Sequence, residues 1–263
     1  MAGSGAATAV AEASGFALGL GLLWRLRAPL PAGSARWPGW RALLAGGALR
    51  RLMMVNRDIF LRTVCLLGCF AWFARAGAQQ GELVLAANAL LLNFQSFMAY
   101  ALDGFAHAAE TLTGAAVGAR DRRALRSAIR VSMGWAVVCS AGFALAYALG
   151  GGAIVALLTD QPALREVAAT YLPWAALLPL ASVWGFVLDG VFIGATRTRE
   201  LMQAMLVCAA AFLALALSLQ PALGNHGLWL AFLLFMGLRG LVLWRLLPRL
   251  FSSPAGAAGS ACG

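Results

Sequence analysis

The chain has 263 residues, of which 62% are hydrophobic and 11% are charged, and its mean hydropathy is +0.80. Soluble domains have about a quarter of their residues charged, so this composition excludes an ordinary soluble protein. The net charge is +10 and every basic residue is Arg. The absence of Lys excludes chemistry that needs a lysine amine. Because the arginines lie between apolar blocks, without interleaved aromatics, we expect no nucleic-acid partner.

The hydrophobic residues form seven blocks, each long enough for a helix that crosses a roughly 30 Å hydrocarbon layer. We therefore predict an all-α, polytopic membrane protein with about seven transmembrane helices, in contact with the lipid bilayer. The seven blocks are residues 8–24, 59–78, 83–117, 129–149, 168–195, 201–219 and 227–247. A short separate helix is expected at 153–158, after three glycines, and the C-terminal tail is expected to be disordered.

The arginines predict the orientation of the chain. Sixteen of the 20 arginines lie in alternate connections or at the C-terminus, whereas the opposite connections contain only Arg75 and Arg165. Arg62 and Arg239 lie within helices. Since cytoplasmic loops are enriched in basic residues, we expect a multi-pass protein of the inner or plasma membrane. Its N-terminus is then outside and its C-terminus cytoplasmic.

The third block has a polar face. At about 100° per residue its polar side chains fall within an arc of roughly 160°; they are Asn88, Asn93, Gln95, Ser96, Tyr100, Asp103, His107 and Glu110. Asp103, His107 and Glu110 follow i, i+4, i+7 spacing and share one helix face. Ionisable groups inside a membrane mark functional sites, so this row is a candidate for binding a proton, a cation or a substrate. Alternatively, the row pairs with Arg62 or Arg239 and holds the helices together.

The fifth block supplies a second carboxylate, Asp189, in a Leu-Asp-Gly run that also occurs at residues 102–104. The two aspartates either approach one central cavity, or Asp189 lies near the cytoplasmic interface and pairs there. Asn225 and His226 are interpreted as a helix cap. No zinc motif, disulfide framework or nucleophile and base set is visible, so neither a metal site nor an enzyme is predicted.

Several runs resemble the DinF-type branch of the multidrug and toxic compound extrusion (MATE) family, in matching order and spacing. They are residues 56–63 (NRDIFLRT), 85–90 (LAANAL), 101–110 (ALDGFAHAAE), 117–121 (VGARD), 157–160 (LLTD), 171–173 (YLP), 189–197 (DGVFIGATR), 224–230 (GNHGLWL) and 238–241 (LRGL). The resemblance implies a twelve-helix transporter of two six-helix lobes. It also implies export of organic cations or other amphiphilic xenobiotics by alternating access, coupled to antiport of H⁺ or Na⁺, with no other cofactor.

On this resemblance the chain looks like the second half of such a transporter. Residues 1–24 are expected to be the last helix of a mostly missing N-terminal lobe, and 25–56 an Arg-rich cytoplasmic linker. Residues 57–248 are expected to form a six-helix C-terminal lobe, and 249–263 the tail. A missing N-terminal lobe or a second copy of the chain would then complete the transporter. The first-helix Asp that similar transporters use lies in the missing part.

The cavity candidates are Asp103, His107, Glu110, Asp189, Asn88, Gln95 and Tyr100, with Arg62 and Arg239 as candidate charge partners. Two alternatives stay open. One is a flippase of related architecture for lipid-linked sugars or polysaccharides, which a cationic groove would favour. The other is a seven-helix receptor or scaffold without transport, although the outer loops are short and lack paired cysteines.

Overall fold

The computed structural model describes residues 2–25 and 47–252. All regular elements in these ranges are helices, which confirms the all-α prediction: α1 (Ala2–Arg25), α2 (Ala48–Ala78), α3 (Glu82–Gly118), α4 (Arg122–Leu158), α5 (Pro162–Gly194), α6 (Thr198–Leu246) and α7 (Pro248–Ser252). Most of the predicted linker, and residues 253–263 of the predicted disordered tail, lie outside the described residues. The chain divides into two units, Met1–Arg51 and Leu52–Gly263.

The first unit contains α1. This helix has 24 residues, and its apolar part is Ala13–Leu22. Ten residues rise about 15 Å, half of the hydrocarbon thickness. The membrane span at 8–24 therefore stays a prediction.

The second unit contains helices that are long and apolar enough to cross a membrane. By length and composition, α2, α3, α4, α5 and the α6 segment each qualify. At 49 residues, α6 would be about 74 Å long if it were straight, more than twice the hydrocarbon thickness. It bends at Gly224, where φ is 58° and ψ is −135°. A β-carbon on Gly227 would collide with the backbone of Leu219, so the second half of α6 folds back onto the first. The unit therefore contains six segments of membrane-spanning length.

The helices extend beyond the apolar blocks from which they were predicted. Helix α2 begins at Ala48 and so includes residues 48–56, which the sequence assigns to the linker. The expected separate helix at 153–158 is wrong, because α4 continues to Leu158 through three glycines. Close packing accounts for one of these glycines, since a β-carbon on Gly151 would lie 2.8 Å from the Leu172 side chain of α5. Apolar blocks mark the part of a helix within hydrocarbon, whereas Ala and Arg at its ends also favour helix.

Helix α5 is the centre of the second unit. It contacts α3, α4 and α6, and two thirds of its most apolar stretch is buried. It runs continuously through Pro173 and Pro179. Helix α2 packs against the second half of α6 through aromatic rings, with Phe73 centred 5.0 Å from both Trp229 and Phe232. A helix that is apolar on every face belongs in such an interior position.

The turns after α3 and after α5 have the same geometry. Arg120 and Thr196 have φ values of 54° and 55°. The Asp121 amide donates to the Ala116 carbonyl at 3.0 Å, and the Arg197 amide makes the equivalent bond to Phe192 at 2.8 Å. These are the 6→1 bonds of the Schellman motif. Helices α3 and α5 run parallel, because Gly190 lies against Ala106 and Gly194 against Glu110, so the starts of α4 and α6 lie at the same end of the bundle.

Ten of the 14 arginines in residues 52–252 lie at or near this end, which we call the Arg-rich end. Contacts bring its segments together, since Arg126 lies over the Phe251 ring at 5.4 Å. The Gly224 bend lies at the opposite end, where the Gln220 amide donates to the Ala76 carbonyl at 3.2 Å. The connections that are rich and poor in arginine alternate along the sequence, and in the structure they lie at opposite ends of the second unit.

Candidate functional site

A cavity of about 420 Å³ lies between α2, α3, α5 and the second half of α6. Each of these four helices contributes at least one charged or polar group and at least one apolar side chain to it. The polar lining residues are Arg62, Gln95, Ser96, Asp103, His107, Glu110, Asp189 and Arg239, and the apolar ones include Leu66, Phe70, Phe186, Ile193 and Met236. Five arginine, aspartate and glutamate side chains thus line one cavity between membrane-length helices: Arg62, Asp103, Glu110, Asp189 and Arg239.

Asp189 holds an ion pair with two arginines. The Arg239 Nη2 atom donates to Asp189 Oδ2 at 2.6 Å, and Arg62 Nη2 donates to the same oxygen. The side chains of Asp189 and Arg239 are 9% and 5% exposed. Buried charges are tolerated only when they are paired and hydrogen-bonded. Of the two positions considered for Asp189, the structure shows pairing with arginines inside helices, away from the interfacial Arg197.

Arg239 is held in place by three further neighbours. Its Nη1 atom donates to the Met236 sulfur at 3.4 Å. The guanidinium lies 5.8 Å from the Phe186 ring centre and 6.0 Å from that of Phe235. Cation–π contacts of this kind strengthen when they are desolvated. The Nε atoms of Arg239 and Arg62 have no hydrogen-bond partner among the described residues.

Glycines bring Asp189 close to α3. A β-carbon on Gly190 would collide with the Ala106 carbonyl, and one on Gly194 with the Glu110 carbonyl. Two glycines four residues apart let two helix backbones touch, as in membrane GxxxG contacts. The backbones of α3 and α5 therefore meet directly, and Asp189 lies beside the acidic row of α3.

Asp103, His107 and Glu110 all line the cavity. The His107 Nδ1 atom lies 3.5 Å from Glu110 Oε2, and the two side chains are 80% and 38% exposed. Asp103 is half-buried and forms no ion pair within residues 52–252. Both arginines of the cavity form their ion pairs with Asp189, and no ion pair joins an arginine to Asp103 or Glu110 among the described residues.

The polar arc predicted on α3 divides between two environments. Gln95 and Asn88 lie about 60° to 80° to one side of Asp103, and both are buried. Tyr100 and Asn93 lie at similar angles on the other side, and both are exposed. The Gln95 Oε1 atom lacks a hydrogen-bond partner in the described structure and Gln95 lines the cavity. One helix face can therefore be polar for two reasons, an interior cavity and an outer surface.

Two of the predicted cavity residues do not line the cavity. Tyr100 is 78% exposed, because it lies at the outer edge of the arc. Asn88 is 15 residues from Asp103, or about 22 Å along the helix, near the opposite end of the unit. There its amide pairs reciprocally with that of Asn225, at 2.8 and 2.9 Å, and its oxygen also accepts from Trp229 Nε1 at 2.9 Å.

The same network corrects the interpretation of Asn225 as a helix cap. Asn225 is 3% exposed and its side chain reaches across to α3. His226 instead accepts a hydrogen bond from Trp174 Nε1 at 3.0 Å. An Asn beside Gly in a short connection is typical of a cap, and no local pattern reveals a partner 137 residues away. The apolar lining of the cavity, including Phe186 and Met236, likewise has no sequence signal of its own.

The arrangement suits a positively charged ligand with an apolar body. Asp103 and Glu110 supply acceptor oxygens, and Phe70 and Phe186 supply apolar surface. Pockets for small molecules combine such apolar walls with a few placed polar groups. In the described residues no group of three His, Cys, Asp or Glu side chains is arranged to hold a metal ion.

Comparison with known proteins gives three kinds of match. The MatE family model matches residues 59–218. The DNA damage-inducible protein F of Escherichia coli is 41% identical over 247 residues, which are 92% of this chain and 52% of that protein. Protein DETOXIFICATION 42 of Arabidopsis thaliana is 26% identical over 74% of this chain and 38% of its own length. The chain thus spans about half the length of the bacterial relative and less of the plant protein.

Solved structures match in fold. A crystal structure described as MATE in the bent conformation has a TM-score of 0.70 at 17% identity, over 80% of this chain and 48% of that chain. A MOP superfamily transporter from Pyrococcus furiosus has a TM-score of 0.68 at 17% identity, over 78% and 46% of the two chains. At this identity the likeness concerns the arrangement of helices.

Proposed function

This chain belongs to the MatE family, and we propose that it forms part of a secondary transporter that exports organic cations or other amphiphilic xenobiotics. Entry of H⁺ or Na⁺ drives the export by antiport. The transporter works by alternating access between two lobes, of which residues 57–248 form one. The protein is a multi-pass membrane protein, because its membrane-length helices and its family agree.

The acidic row in the cavity carries this proposal. Asp103 and Glu110 line the same space as Asp189, but only Asp189 is paired with arginines. A cationic substrate and a coupling ion compete for the two carboxylates of α3. Antiport requires such competition, since one site must release the substrate when it takes up the ion.

The apolar wall of the cavity sets the class of substrate. Phe70, Phe186 and Met236 line the cavity beside the carboxylates. Aromatic rings attract organic cations through their faces, and a thioether adapts to different shapes. This lining accommodates amphiphilic cations of various shapes rather than a single strongly polar metabolite.

Alternating access requires two lobes that move against each other around a site at the membrane midplane. Residues 1–24 would be the last helix of the other lobe and 25–56 the linker. A first lobe, or a second copy of this chain, completes the transporter.

The Arg-rich end faces the cytoplasm by the positive-inside rule. A cysteine introduced at Ala119 should then resist a membrane-impermeant maleimide added outside cells, and one introduced at Gln161 should react. The reverse pattern would show that the Arg-rich end faces the outside.

The test compares Asp103→Asn with Asp160→Asn. Asp160 is fully exposed in the turn before α5, so its substitution removes one carboxylate outside the cavity. The purified chain is titrated with a fluorescent organic cation, and binding is read from fluorescence polarisation. We expect Asp103→Asn to weaken binding about tenfold, the loss of roughly 1.4 kcal/mol expected for a charged contact. Asp160→Asn should leave binding unchanged. Equal affinities in both variants would refute the cavity assignment.

A second assay tests coupling. The chain is joined to the first lobe of the E. coli relative and reconstituted in vesicles with an imposed H⁺ or Na⁺ gradient. We expect gradient-driven efflux that Asp103→Asn abolishes and Asp160→Asn preserves. Efflux that ignores both gradients would contradict antiport.

The flippase alternative has less support. A groove for an anionic lipid-linked sugar should present free cationic side chains, and both arginines of this cavity are bound to Asp189. A receptor or scaffold without transport would not need a charged cavity beside glycine-mediated helix contacts. Gradient-driven efflux that Asp103→Asn abolishes would favour transport over either alternative.

A further inference from the structure

A second large groove lies at the Arg-rich end, on the outside of the second unit. It has a volume of about 800 Å³ and is formed by the start of α4, the middle of α5, the end of α6 and α7. It shares no lining residue with the central cavity. Six of the residues that form it carry the argument: Arg126, Arg130, Gly134, Trp184, Trp244 and Phe251.

Two arginines define one end of this groove. Arg126 and Arg130 are four residues apart on α4 and therefore lie on the same helix face. Both are exposed, and neither forms an ion pair within the described residues. The Arg126 guanidinium lies over the Phe251 ring of α7 at 5.4 Å. This end of the groove is a cationic site without an acidic partner.

The remainder of the groove is apolar and aromatic. Trp184 and Trp244 form its floor, with ring centres 6.0 Å apart in an edge-to-face arrangement, and they are 40% and 49% exposed. Gly134 leaves one wall open, since a β-carbon at this position would meet nothing within 4 Å. The groove thus has a cationic end and an open apolar channel.

The groove runs along α4 from its first turns toward its apolar middle. Arg126 and Arg130 are about 6 and 12 Å from the start of α4, and Gly134 is about 18 Å from it. Trp184 is ten residues, or about 15 Å, from the end of α5. One leaflet contributes about half of the 30 Å hydrocarbon core. Because the apolar block of α4 begins at residue 129, we place Arg126 and Arg130 near the lipid head groups, and Gly134 and Trp184 among the acyl chains.

We propose that this groove binds one anionic glycerophospholipid of the leaflet at the Arg-rich end. Arg126 and Arg130 bind its phosphate, and one acyl chain lies over Trp184 and Trp244 beside Gly134. Charge complementarity supports this occupant, because two unpaired cations in the groove face a leaflet that carries anionic lipids. Basic pockets between membrane helices on the cytoplasmic side recognise such head groups. The inference is independent of the proposed transport function.

The test counts lipids bound to the full chain in detergent by native mass spectrometry. The protein is titrated with dioleoylphosphatidylglycerol or dioleoylphosphatidylcholine. We expect the anionic lipid to bind at least tenfold more tightly. The double variant Arg126→Gln, Arg130→Gln should reduce that affinity tenfold or more, since each arginine contributes about 1 kcal/mol near a membrane surface. The matched control Arg122→Gln, Arg123→Gln removes two exposed arginines outside the groove and should change the affinity less than twofold.

A steric variant tests the acyl channel without changing charge. Gly134→Leu places a side chain in the open channel and should weaken binding of both lipids. Gly142→Leu is the control, because Gly142 is on the same helix and a β-carbon there also meets nothing within 4 Å. Equal binding of the two lipids, equal effects of the two arginine pairs, or no effect of Gly134→Leu would each overturn the proposal. Displacement of the lipid by inorganic phosphate at similar concentration would show an anion site without a lipid channel, and would also overturn it.

Discussion

The second unit contains two polar clusters inside its membrane-length helices, and they differ in how completely their atoms are partnered. In the amide cluster, Asn88, Asn225 and Trp229 satisfy one another with three hydrogen bonds of 2.8 to 2.9 Å. In the charged cluster, one carboxylate oxygen of Asp189 accepts hydrogen bonds from two arginines, Arg62 and Arg239. The Nε atom of each arginine has no hydrogen-bond partner among the described residues.

The difference separates structure from function. The amide cluster is neutral, closed and far from the cavity, so it connects α3 with the hairpin of α6 and needs nothing else. The charged cluster borders an open cavity with Asp103 and Gln95 beside it. Incompletely partnered polar atoms at a cavity wall are the places where a ligand, an ion or water completes the network.

The largest effect is expected when Asp189 loses its charge. Asp189→Asn leaves buried Arg239 and half-buried Arg62 without their anion, and breaking a buried ion pair in this way costs about 3–5 kcal/mol of unfolding free energy. The measurement is chemical unfolding of the chain in detergent. The double variant Asp189→Asn, Arg239→Gln should recover part of the lost unfolding free energy, because it removes one buried cation that has no anion. An unchanged midpoint in Asp189→Asn would show that the three charges do not depend on one another.

A somewhat smaller effect is expected from Gly190→Ala, which separates α5 from α3. The added β-carbon collides with the Ala106 carbonyl, and overpacking costs about 1–3 kcal/mol. The matched control is Gly104→Ala in the other Leu-Asp-Gly run, where a β-carbon meets nothing within 4 Å. There the gain in helix propensity should leave stability equal or slightly higher. Thermal unfolding compares the two, and equal losses would argue against the direct backbone contact.

The smallest of these losses is expected in the amide cluster. Asn88→Ala removes the acceptor of Trp229 and the partner of Asn225, and membrane hydrogen bonds are worth about 1 kcal/mol each, so we expect a loss of about 1–2 kcal/mol. Cation binding in the cavity should stay at the level of the unchanged chain. Asn93→Ala, an exposed position on the same helix, serves as the control. A change in cation binding by Asn88→Ala would show that the amide cluster influences the cavity, contrary to their separation in the structure.

Much of the site could be predicted because membrane ionisable residues are few. The i, i+4, i+7 spacing predicts that Asp103, His107 and Glu110 share a face, and the structure places all three at the cavity. Helical periodicity gives an angle but no depth or environment. It therefore grouped Asn88 and Tyr100 with them, although one lies near the opposite end of the helix and the other faces outward.

The sequence by itself determined the helical class, the apolar segments of membrane-spanning length in the second unit and the concentration of arginine at one end, because hydrophobicity and charge act locally along the chain. Only the tertiary structure decided which carboxylate is paired. Asp103 and Asp189 occur in the same Leu-Asp-Gly context, yet the fold brings Arg62 and Arg239, from positions 127 and 50 residues away, to Asp189. Contacts between distant helices depend on how glycines let backbones approach, and one sequence does not display that distance.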